Sequence, residues 1–237
     1  MASGLEILYE DNHLLAVNTP PGQLVQGDRS GDPPVVELVR GYLKERYAKP
    51  GNVFLGVAHR LDRPASGVVL FARTSKALTR LNRLFRDQRV VKIYWAVVQE
   101  TPPRSADSLV HFLRRNPEQN KSYAFDEPRA GGKEARLSYR LLLSLERYHL
   151  LEVTLHTGRH HQIRAQLARI GCHIKGDLKY GAARSNPGGG IHLHARRLSL
   201  PHPVREQEVT IVAEPPRDPV WDAVLLALRT AGSSDIL

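Results

Sequence analysis

The chain has a single cysteine, Cys172. One thiol cannot form an internal disulfide and lacks the partners of a Cys-based zinc site, so a reducing compartment is the natural setting. Long apolar runs are missing as well: no segment approaches the roughly 20 residues that span a bilayer. The start, MASGLEILYEDN, has no basic stretch leading into an apolar one, so no signal peptide is expected and the protein reads as cytoplasmic. There is no dinucleotide fingerprint and no P-loop. Acidic side chains are also in short supply, with 24 Asp and Glu against 34 Lys and Arg, a formal net charge of +10 and a pI near 10.0. The electrostatic partner should be a polyanion, either nucleic acid or an anionic membrane surface, and basicity alone does not choose between them.

What is present is an ordinary globular composition, 41% hydrophobic and 24% charged over 237 residues. That excludes a disordered chain and allows one substantial core or two small ones; a single domain over residues 1–237 is the expectation. Residues 5–20 read as two strands around a turn at Asp11-Asn12, and Asp32-Pro33 starts a helix running to about Tyr47. VFLGVAHRLD and GVVLFART read as flanking strands, and Thr74 or Ser75 caps a helix to about Asp87 with Leu78, Leu81 and Phe85 inward. Arg80, Arg83 and Arg86 recur along that helix, a stripe suited to phosphates or simply a solvated face. KIYWAVVQ is a strand. Residues 101–133 look like an irregular excursion, EARLSYRLLLSLERYHLLEVTLHT like two long strands. A helix ending at Gly171, a loop at 184–190, the strand IHLHARRLSL and a tail helix from about Asp218 with a polar end complete the pattern. Adjacent strands with interspersed helices argue for α+β with a mixed, largely antiparallel sheet.

Three stretches carry chemistry. HRLDRPASG, 59–67, sets Asp62 between Arg60 and Arg63, and positive charge that close favours the ionised carboxylate; a surface turn is the simpler reading. HTGRHHQIR, 156–164, invites a metal reading through His156 and His160, four apart, but Gly158 and the lack of further ligands argue against it. The same stretch puts arginines and histidines at a helix start, where Arg159 and His161 suit an anion, and sets Arg164 to pair with a carboxylate from another loop, Asp62 being the one without an explanation. His192 and His194 suit a structural role on a strand. In KIY, Tyr94 is either half-buried packing or a stacking platform for a base.

HRLDRPASG resembles the HRLD-x-x-[TS]-S-G motif of the RluA-type pseudouridine synthases, TGRHHQIR resembles their TGR-x-HQIR, and KIY their K-x-Y. NTPPG, IKGDLKYG at 174–181 and LHARRLSLPHP follow in the family's order, so the resemblance spans about residues 7–216. It implies a pseudouridine synthase fold without an N-terminal S4 module, RNA (ribosomal or transfer) as partner, no cofactor, no metal and no membrane, with a monomer as the default. Carried over, Asp62 is the catalytic aspartate, Arg60 enters the stack vacated by the base, Tyr94 lies against the flipped uracil, Arg164 pairs with Asp62, and Ile163 helps wall the pocket, with His59, Arg159 and His161 beside the substrate. Thr19, Ala65 and His173 depart from the family's usual Lys, Thr and Pro, which touches local loop contacts and substrate choice. Asp62 would act as a nucleophile at C1′ or at uracil C6, or as a base toward C2′. The competing readings are a non-catalytic RNA-binding protein on the same scaffold and a glycosidase or nucleosidase.

Overall fold

The computed structural model describes residues 4–27 and 31–232; the polar end expected after the last helix lies outside the described residues. In chain order the strands are β1 (Glu6–Glu10), β2 (Leu14–Thr19), β3 (Gly56–Val57), β4 (Ser66–Ala72), β5 (Val91–Val98), β6 (Ala106–Asn116), β7 (Lys121–Phe125), β8 (Lys133–Ser144), β9 (His149–Leu155), β10 (Leu193–Pro201) and β11 (Glu208–Val212). The helices are α1 (Val35–Arg46), α2 (Ser75–Arg86), α3 (Gln162–Arg169) and α4 (Pro219–Thr230). The fold is α+β, and the chain divides into two compact units, Met1–Lys92 with Ala195–Glu214, and Ile93–His194 with Pro215–Leu237.

In the first unit β2 pairs antiparallel with β1 and β4, β3 with β4, and β11 with β10, while β10 neighbours β4. The apolar run of β4 is buried along its whole length because both of its faces are covered. Leu14, Ala16, Val68 and Leu70 pack against Ala77, Leu81 and Leu84 of α2. Their alternate neighbours Leu15, Val17, Val69 and Phe71 pack against Val35, Val39 and Leu43 of α1. Thr74 does cap α2, accepting the Ala77 N–H at 3.2 Å. The inward set is shifted from expectation: Ala77, Leu81 and Leu84 are buried, with Leu78 and Phe85 at the margin. Asp32 does not start α1. Pro34 precedes its first turn without a side-chain cap, and the Asp32 carboxylate pairs with Arg63 instead.

The strand expected from VFLGVAHRLD shrinks to Gly56–Val57. The next rung of the β4 ladder is closed by a side chain: His59 Nε2 accepts the Leu70 N–H at 2.9 Å, so the backbone is released into a loop.

The second unit is an antiparallel sheet in the order β5-β9-β8-β6-β7. The excursion expected at 101–133 is corrected here: most of it is the hairpin β6–β7. Its alternation is obscured by polar residues on both faces, but Leu109, His111 and Leu113 point inward, and His111 is accommodated by a hydrogen bond to Gln166 of α3 at 2.9 Å. On another part of the sheet, Trp221 of α4 packs with Trp95, Val97 and Leu150. His192 stacks on Trp221 at 5.3 Å and His194 meets it edge-on at 6.0 Å, the structural role expected of that pair. β11 had no signal in the reading above; its alternate Val209 and Ile211 are buried on the α2 side.

Gly67, at the start of β4, has φ +116°, and a Cβ there would lie 2.4 Å from the Ala195 carbonyl oxygen of β10. Gly67→Ala is therefore expected to destabilise the protein by more than about 2 kcal/mol, read from the midpoint of a urea unfolding curve.

Candidate active site

The loop between β3 and β4 carries HRLD. His59 is fixed by Leu70 and by stacking on Phe85 of α2, ring centroids 5.0 Å apart. Burial, with a smaller contribution from Lys92, pushes its pKa down to about 4, so the imidazole is neutral and can accept the Leu70 N–H. Burial likewise lowers the pKa of Lys92, the lysine of KIY. Arg60 is exposed. Asp62 is half-buried, and its carbonyl accepts the Ala65 N–H at 2.9 Å, closing a turn over Arg63-Pro64. Arg63 does not face Asp62 alone in charge: its guanidinium pairs with Asp32, its Nε donates to the Gly22 carbonyl at 3.0 Å, and its own carbonyl accepts the Gly22 N–H at 2.7 Å. The second arginine of the motif thus fastens the loop to the NTPPG turn. Thr19, where the family usually has Lys, donates to the Gly67 carbonyl at 2.9 Å, tying β2 to the other end of the same loop.

In the second unit TGRHHQIR builds the entrance to α3. Gln162 is the organiser, its Oε1 accepting from Thr157 Oγ1 at 2.8 Å and from the Arg159 N–H at 2.9 Å. Arg159 is exposed and uses its Nε on the Glu134 carbonyl. His161 adopts a left-handed conformation, φ 53°, a strained one for a residue with a side chain. Its ring stacks on His160 at 3.8 Å and its Nδ1 meets the Tyr180 hydroxyl at 3.0 Å; burial, then Arg164, push its pKa down to about 2. Ile163 is buried. Arg164 is 4% exposed and makes a two-pronged pair with Asp177, Nε to Oδ2 at 2.7 Å and Nη2 to Oδ1 at 2.8 Å, with its guanidinium 4.9 Å from the Tyr180 ring centre. Tyr94 lies half-buried on β5, in register with Val153 of β9.

The expected residues thus form two sets, His59, Arg60 and Asp62 on one loop of the first unit, and Arg159, His161, Ile163 and Arg164 around α3 of the second, with Tyr94 on β5. His156 and His160 go to different partners, Ser138 for the first and Ser122 and Asn120 for the second. Among the described residues no three His, Cys, Asp or Glu side chains are grouped to hold a metal. The residues missed by the sequence reading are Asp177 and Tyr180. Their signal was the IKGDLKYG stretch, where Asp177 precedes and Tyr180 ends the short helical turn Leu178–Tyr180, but it says nothing of which arginine they serve.

Residues 13–169 match the family model of RNA pseudouridylate synthases, and the chain belongs to that family. The class this defines is an isomerase of uridine in RNA. The chain is 32% identical to an uncharacterized RNA pseudouridine synthase of Synechocystis, covering 95% of this chain and 69% of that one. It is 34% identical to tRNA pseudouridine synthase C of Salmonella typhi, covering 93% and 88%, and 36% identical to ribosomal large subunit pseudouridine synthase D of Xylella fastidiosa, covering 90% and 67%. Among solved structures it is similar to human RNA pseudouridylate synthase domain-containing protein 4, with a TM-score of 0.77, 26% identity, and coverage of 94% of this chain and 93% of that one. The fold is that of the pseudouridine synthases.

Two predictions follow from these contacts. His59 has a lower pKa folded than unfolded, so the unfolded chain binds the extra proton first and stability falls as pH drops from about 6.5 toward about 4; His59→Gln, which keeps an acceptor for Leu70, is expected to flatten that limb of a stability-versus-pH curve. Asp177→Asn removes the carboxylate that makes the two-pronged pair with buried Arg164 and is expected to cost roughly 3–5 kcal/mol in denaturant unfolding, or less where other contacts of Arg164 or the asparagine oxygen compensate.

Proposed function

We propose that the protein converts particular uridines in ribosomal or transfer RNA to pseudouridine, with Asp62 as the acting carboxylate. The observation that carries this reading is the way the Asp62 loop is held: His59 on Leu70 upstream, Arg63 on Gly22 downstream, and a closed turn at Asp62 itself. A carboxylate on a loop fastened at both ends to a rigid sheet can be aimed without a large entropic cost at the moment of reaction. The relatives support the choice of substrate, one being named for tRNA and another for the large ribosomal subunit.

The isomerisation breaks the bond from ribose C1′ to uracil N1, forms one from C1′ to C5, removes the C5 proton and returns one to N1. It is redox neutral, so the protein needs to extrude the base, hold it, and supply one ionised carboxylate. Arg60, exposed beside Asp62, fills the place of the extruded uridine; Tyr94 stacks on the uracil and Ile163 walls it. Arg164 pairs with Asp62 in this reading. Arg159 and His161 flank the substrate, and His59 acts by holding the loop. Attack by Asp62 at C1′, attack at C6 and proton removal at C2′ are all compatible with one such carboxylate. We further assign the protein to the cytoplasm as a monomer, on its buried lone thiol and its net positive charge.

Tritium release from RNA labelled at uridine C5 tests the assignment, with ribosomal and transfer RNA assayed separately. Wild type is expected to release label from one of them, and Asp62→Asn to lose release by at least about three orders of magnitude while keeping its fold and RNA affinity. Retained turnover in Asp62→Asn sinks the mechanism; no release by wild type favours the binding-only reading.

A further inference from the structure

Helices α1, α2 and α4 carry their charge very differently. α1 mixes Glu37 and Glu45 with Arg40, Lys44 and Arg46, and α4 has one acid, Asp222, against Arg229. The stretch from Ser75 to Arg89, α2 and its C-terminal turn, holds Lys76, Arg80, Arg83, Arg86 and Arg89 against Asp87 alone, and all five basic residues are exposed. The direction of this charge is fixed by packing, since Ala77, Leu81 and Leu84 are buried against the sheet and leave the basic side outward.

The side chains on that face are lightly committed. Arg83 and Arg86 share Asp87 at 3.4 Å each with about three quarters of their side-chain surface open, and such exposed pairs contribute little and yield readily to a competing anion. Arg80 extends the row by donating to the Pro203 carbonyl at 2.8 Å. Arg80 to Arg86 spans about 9 Å of helix axis at roughly 1.5 Å per residue. The helix is also joined to the loop that carries Arg60 and Asp62. Phe85 stacks on His59, and a side chain at Gly56 of β3 would run into Leu78 of α2. Anything bound along α2 is therefore registered against the Asp62 loop by contacts within one unit.

We infer that the outward face of α2 is a docking rail for the phosphate backbone of the substrate RNA, with Arg83 and Arg86 as its centre and Arg80 as its extension. The inference rests on the proposed function for the identity of the polyanion. A membrane surface is the poorer occupant: the apolar face of α2 is turned into the core, so the helix has nothing to insert among lipid chains. The rail reads no sequence. It sets the register of the RNA on the protein, and base selection happens elsewhere.

The test uses the full chain in the Asp62→Asn background for binding and the unmodified background for turnover. Arg83→Gln with Arg86→Gln is compared with Lys44→Gln and Lys49→Gln, an equal loss of charge at exposed positions near α1 of the same unit. The α2 pair is expected to weaken RNA binding roughly tenfold or more near 0.1 M salt and to make the slope of log affinity against log salt shallower by about 1.4–1.8, as for two lost phosphate contacts. KM should rise with kcat at saturating RNA unchanged. Equal losses in both pairs, an unchanged slope in the α2 pair, or a parallel loss of capture by anionic lipid vesicles each overturns the rail. Wild type that releases no tritium while the two pairs still differ in salt slope leaves the rail standing and removes the isomerase reading instead.

Discussion

Arg164 is a full positive charge at 4% exposure, and the second unit is arranged around keeping it tolerable. A guanidinium out of water requires an opposite charge and hydrogen-bond acceptors, and Asp177, itself 2% exposed, supplies the charge and two nearly equal bonds. The rest follows from that demand. Tyr180 lies over the guanidinium, its hydroxyl accepts the Ser122 N–H at 2.8 Å and meets His161, and His161 is held neutral beside Arg164. The positive charge, the ring stack and the strained residue at the α3 entrance form one connected network, and a network of that kind is rigid because any member that moves strands the others.

The first unit solves a different problem by similar means. The Asp62 carboxylate is half-buried, and its loop is fixed through neighbouring side chains. His59 gives up its proton-binding capacity to become a backbone acceptor, and Arg63 gives up its reach to bind Gly22 and Asp32. Of the charged pair flanking Asp62, one member holds the loop and the other, Arg60, stands out toward solvent. The run HRLDR therefore has its anchoring side chains, His59 and Arg63, at its two ends, with Arg60 exposed and Asp62 half-buried between them.

The two units also divide electrostatics by range. The Arg164 network acts over a few ångströms in a dry interior, where salt has little effect, whereas the exposed arginines of α2 act over about a Debye length and are weakened by salt.

Composition, the order of the motifs and the alternation of apolar residues were enough to determine the family, the α+β class, the polyanionic partner, the sheet run of β4, the cap of α2 and the glycine, Gly171, that ends α3, because these depend on local propensity or on linear spacing. Tertiary structure decided what spacing cannot encode. Asp177 stands thirteen residues beyond Arg164 and becomes its partner only because a turn brings it back. Asp32 looks like a helix cap and is drawn away by an arginine 31 residues later. The β6–β7 hairpin looked irregular because His111 is polar yet faces inward, a choice made affordable only by Gln166 on α3, 55 residues on. In each case a polar side chain had several local uses open to it, and the one adopted was set by which distant group removed the cost of burying or fixing it.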